Sequence, residues 1–404
     1  MNRVTKINLN TIALFLLCML LAAGQLLRLQ IGPFVAAYPH DIVVLLLTVT
    51  WGTAHRQWLL EWFLRRTVTQ KLAAAWVVLG VCVALLTQTY GAAAGLRLGR
   101  VLLYGLFLIL LSRQFTQKSQ IRVALYQALN LFYWLLVVSG LLQYFLFPDI
   151  RMFTPAGWDD HLYRLVGTQL DPNFTGALLI LGLGWHLQAV LKTCALPLWH
   201  AATRATVKLA PILLALGLTY SRASYVAVVV LLICEMYVKR FSRNVFTGLI
   251  AVLLILASLV PLLPRLASEG TNLFRNASII ARIETATARL SSISSYEWFV
   301  GQGVYVRKSI ETYNRSIPDH AITSDNLFVF MLTGTGLIGT ALLLSVIWHE
   351  VVQLSKNYPD TLPMIAAIAL HTQFNNTLLH PFVLLVFGMS LISISDKQKP
   401  SQEI

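Results

Sequence analysis

Long apolar runs separated by short polar clusters set the pattern of this chain. A helix needs about 20 consecutive apolar residues to cross the hydrocarbon of a bilayer. Twelve runs approach that length, at 9–27, 36–54, 72–90, 98–115, 122–147, 172–191, 206–220, 222–238, 244–263, 325–349, 361–375 and 377–395. The seventh and eleventh are the shortest. The first is read as a span rather than a cleaved leader, because it is long, lacks a small-residue cleavage site and is followed by further spans. Two segments between runs carry unusual polarity. One is 148–171, with Asp149, Arg151, Asp159, Asp160, His161 and Arg164, and the other is 264–324.

Composition narrows the class. Of 404 residues, 57% are apolar and only 12% are charged, where a soluble domain has about 25% charged residues. That excludes disordered, collagen-like and disulfide-scaffold proteins. Helices satisfy their own backbone in lipid, so the expectation is an all-α polytopic membrane protein forming one integral membrane domain over 1–404. The four cysteines, Cys18, Cys82, Cys194 and Cys234, lie in or beside apolar runs and show neither zinc spacing nor a disulfide framework.

The net charge of +14 would suggest nucleic acid in a soluble protein. Here the positions of the cations matter more. With the N-terminus in the cytoplasm, the inner segments hold eighteen Lys and Arg and the short outer segments six. Positive residues collect on the cytoplasmic side. The topology expected is therefore N-in and C-in, with 264–324 as one large extracytoplasmic loop before the tenth span.

Three outer segments share a geometry. Arg164 to Asn173 precedes the sixth span, with Pro172 suited to the first helical position and Asp171 to the cap. Ser221-Arg222 forms the tight turn before the eighth span, and Ser324-Asp325-Asn326 opens the tenth. Helix N-termini present unpaired N–H groups and a positive dipole end. Three of them beside Arg164 and Arg222 suit an anion at the membrane border, and arginine suits phosphate because its planar fork binds two oxygens. The same residues also suit plain caps and arginines reaching to lipid headgroups.

In the long loop a helix is expected near 272–295. Arg275, Arg282 and Arg289 recur every seven residues on one face, with Ile279, Ile283, Leu290 and Ile293 as an apolar stripe. It reads either as a basic lid over an acidic substrate or as an amphipathic helix lying on anionic lipid. Gly301-Gln302-Gly303 reads as a flexible turn, with little weight as a phosphate loop. His371, His380 and His349-Glu350 show no metal spacing, and neither a nucleophile elbow nor a Walker sequence occurs. The residues themselves therefore point to no cofactor, and energy from ATP is not implied.

At these residues the chain resembles the family of O-antigen ligases and Wzy-type O-antigen or exopolysaccharide polymerases. The matching pieces are Arg164 to Asn173, Ser221-Arg222, Arg282 ahead of Gly301-Gln302-Gly303, and Asp325-Asn326 ahead of Gly336-Leu337-Ile338-Gly339. The resemblance implies a metal-independent, GT-C-like glycosyltransferase with about 12 spans in the bacterial cytoplasmic (inner) membrane. Its donor would be a glycan on undecaprenyl diphosphate, used with a glycan acceptor at the outer face. Membrane lipids and a chain-length regulator are the further partners implied, and nucleic acid is not. Family arginines point to Arg164, Arg222 and Arg282 as diphosphate ligands. Ligases of the family carry histidine where this chain has Asp325, a departure that favours a polymerase, and His320 is a second candidate for that histidine. Asp325 and Arg222 are the expected catalytic groups, with Asp171, Asn173, Ser221 and Asn326 in support. The alternatives are a ligase acting on lipid A core or another acceptor, and a transporter or flippase for the same lipid-linked glycan.

Overall fold

The computed structural model describes residues 9–32, 35–87, 91–191, 198–239, 269–273, 275–304 and 324–395. The ninth expected span, 244–263, and His320 lie outside the described residues. Every other expected span falls on a helix. In chain order these are α1 (Leu9–Ala23), α2 (Pro39–Ala54), α3 (Arg56–Leu64), α4 (Val68–Thr87), α5 (Gly91–Gln117), α6 (Ser119–Leu146), α7 (Pro172–Leu191), α8 (Leu198–Leu218) and α9 (Arg222–Lys239). Four more from the expected loop and spans are α10 (Ala277–Ser291), α11 (Glu297–Val300), α12 (Leu327–Asn357) and α13 (Leu362–Asn375), and the last is α14 (Pro381–Ile394). A feature the apolar pattern did not announce is the small antiparallel hairpin of β1 (Leu29–Gly32) and β2 (Val35–Ala37).

Five helical stretches are long and apolar enough to cross a membrane: Leu9–Leu27, Ala94–Gln117, Ser119–Leu146, Pro172–Leu191 and Leu327–Asn357. Val68–Gly80, Val207–Leu218 and Pro381–Ile394 are shorter apolar stretches. The apolar runs are thus a coarser measure than the helices. α13 and α14 have 14 residues each, and α9 carries Arg222, Glu235 and Lys239 within its 18 residues. The architecture is that of an all-α, multi-pass membrane protein. Large apolar side chains such as Leu46, Leu102, Leu142 and Ile233 point outward, as they do where the solvent is lipid.

Spacing in the sequence fixes what packs inside. On α6, Ile121, Leu125, Leu129, Phe132 and Leu136 recur at three and four residues and are buried, facing Leu14, Leu17, Cys18 and Leu21 of α1. α7 is the central helix: 78% of its apolar window is buried, against 39% for the windows of α1 and α6. It packs against α8, α9, α13 and α14.

One end of the bundle collects polar contacts. Tyr38 donates its hydroxyl to Gln25 Oε1 (3.0 Å), Gln25 Nε2 lies 3.3 Å from His380 Nε2, and the His380 ring stacks on Phe174 at 3.9 Å. The N-terminal ends of α2, α7 and α14 therefore meet there.

Candidate functional site

The loop between α6 and α7 is shaped by backbone that most residues avoid. Tyr163 and Leu170 both have positive φ, at 52° and 55°, a conformation that costs an L-residue free energy and persists where the surroundings hold it. The surroundings are specific. Gln143 Oε1 accepts from the backbone N–H of Val166 (2.9 Å) and Gly167 (3.1 Å), and Thr175 Oγ1 donates to the carbonyl of Val166 (2.5 Å). Asp171 Oδ1 then accepts from the N–H groups of Asn173 (2.7 Å) and Phe174 (3.0 Å), capping α7 with Pro172 as its first residue.

This loop places Arg164 beneath the turn into α9. Its Nε donates to the Thr219 carbonyl (3.0 Å) and its Nη2 to the Tyr220 carbonyl (3.4 Å). Arg164 is only 5% exposed. Burial, and next the charge of Arg275, draws its pKa down to about 10, with Asp171 opposing, so the group stays a cation at neutral pH. Arg164→Ala leaves two buried carbonyl oxygens without their donor, at about 1–3 kcal/mol each. The expected outcome is a lower melting temperature of the detergent-solubilised protein, and an unchanged one would refute this supporting role.

The turn that Arg164 supports includes a third strained residue, Tyr220, with φ of 50°. Ser221 Oγ donates to Asn173 Oδ1 (2.8 Å) and accepts from the N–H of Ser224 (3.4 Å), tying the tip of α7 to the tip of α9. The two tips approach closely: a Cβ on Gly176 would fall 2.1 Å from Ser224 Oγ. Arg222, the first residue of α9, reaches across to the segment leading into α10. Its Nη1 donates to the carbonyls of Arg275 (2.8 Å) and Leu273 (3.4 Å), and its Nη2 to Ser278 Oγ (2.7 Å). Three of the five guanidinium donors are turned to this segment.

The expected loop helix forms, over Ala277–Ser291. The three arginines spaced by seven do not act alike. Arg275 precedes the helix and folds back on the carbonyls of Gly270 and Asn272. Arg289 is buried. Arg282 bridges two other elements: its Nε donates to Asp325 Oδ2 (3.2 Å) and its Nη2 to Asn375 Oδ1 (2.8 Å). The apolar stripe also divides, since Ile279 and Ile283 are exposed and Ile293 is buried.

Asp325 does not cap α12. Asn326 does, accepting from the Val329 N–H at 3.0 Å, while its Nδ2 donates to the Gln373 carbonyl (3.0 Å). The Asp325 backbone carbonyl accepts from the N–H of Asn376 (2.5 Å). One turn before Asn375, the fully buried His371 sits between Ser224 Oγ (3.1 Å from Nε2) and Thr377 Oγ1 (3.1 Å from Nδ1). The last turn of α13 thus joins the three N-termini. It meets α9 through Ser224, α12 through Asp325 and Asn326, and α7 by way of Ser221 and Asn173.

Gly301-Gln302-Gly303 is a backbone clamp rather than a flexible turn. α12 is broken at Gly336, where φ is 65° and ψ −177°. The N–H groups of Gln302 and Gly303 donate to the carbonyls of Thr333 (2.8 Å) and Gly334 (3.0 Å), and Trp76 Nε1 donates to that of Thr335 (3.0 Å). Carbonyls that the break would orphan are thereby satisfied.

Sequence reading found Arg164, Arg222, Arg282 and Asp325, and the outer turn that ends at Ser224, but missed Asn375, Ser278 and Trp76. The Asn375-Asn376 pair was legible as a turn between spans; Ser278 and Trp76 carry no local signal. Among the described residues, Asp159, His161 and Asp171 each offer a metal-ligand atom, all within 4.8 Å of one another. The donor set suits a divalent cation, although the charge of Arg164 beside it opposes one.

Residues 209–344, about one third of the chain, match a family model described as O-antigen ligase. The matched stretch includes Arg222, Arg282, the clamp, Asp325 and Gly336. Arg164 and Asp171 lie before it, and His371 and Asn375 after it. No curated relative matches the chain.

Proposed function

We propose, on the premise that residues 209–344 carry the O-antigen ligase domain, that the protein is a glycosyltransferase polymerising undecaprenyl-diphosphate-linked repeat units. The site end of the bundle would face the outside of the cytoplasmic membrane. The observation that carries the reading is the Arg282–Asp325 pair, with Arg222 at the adjoining tip of α9 and Arg164 beneath the turn that leads into it. This arrangement sets cations for a departing diphosphate beside a carboxylate that can take a proton.

In this reaction an acceptor hydroxyl oxygen attacks the anomeric carbon of the donor. The bond from that carbon to the diphosphate oxygen breaks, and polyprenyl diphosphate leaves with the electron pair. Arg222 and Arg282 meet the charge growing on the leaving oxygen, where fixed donors contribute most. Arg164, sealed behind the Thr219-Tyr220 turn, adds its charge and holds Arg222 in place. Asp325 takes the hydroxyl proton, and Arg282 keeps that carboxylate oriented. A single displacement inverts the anomeric centre.

Aspartate at position 325 favours polymerisation over ligation. The ligase reading draws on the description of the matched family model and differs in its acceptor. Deletion of the gene with gel analysis of surface glycan separates the two. Capped single repeats are expected for a polymerase. Accumulated lipid-linked polymer would indicate a ligase, and loss of the outer-face intermediate a flippase. Arg222→Ala should lower transfer by about 10²–10³-fold, measured with lipid-linked repeat units and purified protein. Wild-type chain lengths in that variant would remove the mechanism.

A further inference from the structure

A cavity of about 310 Å³ lies at the end of the bundle away from the candidate site, lined by Trp58, Glu61, Trp62, Arg65, Arg66 and His349 among others. Its position follows from the helix directions. α2 starts beside the site and ends at Ala54, and Glu350 lies 23 residues beyond the start of α12, roughly 35 Å along a helix at 1.5 Å per residue.

We propose that this cavity binds the phosphate of an anionic phospholipid headgroup. Arg66 is the central residue. Its guanidinium lies 3.7 Å from the centre of the Trp62 ring and its Nη1 3.7 Å from Glu350 Oε1. Its Nε is buried with no hydrogen-bond partner. A buried donor left over is costly and asks for an acceptor. Glu350 is also taken by Gln70, whose Nε2 donates at 2.6 Å, and Glu61 lies 3.5 Å from Arg65. Arg113 stands over Trp58 at 5.1 Å. Of the charged residues lining the cavity, Arg65 and Arg66 outnumber Glu61, and Arg113 beside the lining Trp58 adds a further cation against Glu350, so the wall has an excess of positive charge.

The host helix points to a lipid rather than a soluble phosphate. α3 contains no buried residue. Trp58, Glu61, Trp62 and Arg65 follow one face at helical spacing and line the cavity. The next face carries Leu60, Phe63 and Leu64, exposed at 64%, 52% and 68%. A helix with one apolar face open and tryptophan and arginine on the other lies in the plane of the membrane interface. Its apolar face meets acyl chains, and the cavity beside it receives the headgroup.

The test is native mass spectrometry of the full-length protein titrated with phosphatidylglycerol or phosphatidylcholine. Wild-type protein should retain phosphatidylglycerol in preference to phosphatidylcholine. Arg66→Gln should weaken that retention about tenfold, the loss of one charge-assisted bond. Glu61→Gln, which removes a negative group from the wall, should strengthen it, a change that a folding defect would not produce. Millimolar inorganic phosphate should leave the lipid in place. Equal retention of the two lipids, retention unaltered by either substitution, or displacement by inorganic phosphate would each overturn the proposal.

Discussion

Asp325→Asn is expected to slow glycan transfer by about 10²–10⁴-fold, the range that a positioned proton acceptor contributes, while the protein still folds and enters the membrane. The substitution is nearly isosteric. An amide oxygen can still accept from Arg282 Nε, now 3.2 Å from the carboxylate, and the backbone carbonyl that receives the Asn376 N–H is untouched. What disappears is the group able to take the proton of the attacking hydroxyl. The check is the initial rate of chain extension on lipid-linked repeat units, with the melting temperature measured alongside. A full rate with normal melting would leave Asp325 a structural partner of Arg282 and return the role of base to another residue. Asp325→Glu keeps the carboxylate and should recover part of the lost rate.

Gly336→Ala should be the most damaging of the small substitutions to stability. A Cβ there would fall 2.4 Å from both the carbonyl carbon and oxygen of Phe299 and 2.6 Å from the Gly301 nitrogen, all backbone atoms that cannot swing aside. The residue also holds φ at 65°. Forcing an L-residue into that conformation costs about 1–3 kcal/mol, and overpacking a tight contact costs about 1–3 kcal/mol more. The expected readout is a clear fall in the melting temperature of detergent-solubilised protein and loss of product. Gly80 and Gly99, on α4 and α5, have nothing within 4 Å of a built Cβ. Alanine at either should be neutral or slightly stabilising, as it is in a helix interior. Equal melting for all three variants would refute the clamp.

What the chain discloses before folding depends on whether the cause is local. The helices were legible because an apolar run long enough to span lipid has few other ways to satisfy its backbone. Asp171 and Pro172 were legible as a helix start because capping acts over three residues. Contacts that assemble the site are of another kind. Arg282 meets Asp325 across 43 positions and Asn375 across 93, and nothing near Arg282 names either partner. Periodicity put Arg275, Arg282 and Arg289 on one face but could not say that each would meet a different element. Among the described residues, five helices are long and apolar enough to cross a membrane, and polar residues such as Glu235 keep α9 out of that set.

The broken segment at Thr333 to Gly336 bears on how the enzyme matures in the cell. Its carbonyls are completed by Trp76, 259 positions earlier, and by Gln302 and Gly303, some thirty positions earlier. Pairings so distant in the chain form late. A nascent polypeptide halted before residue 333 therefore holds α1 to α11 but no finished candidate site. The candidate site is completed only with the last fifth of translation.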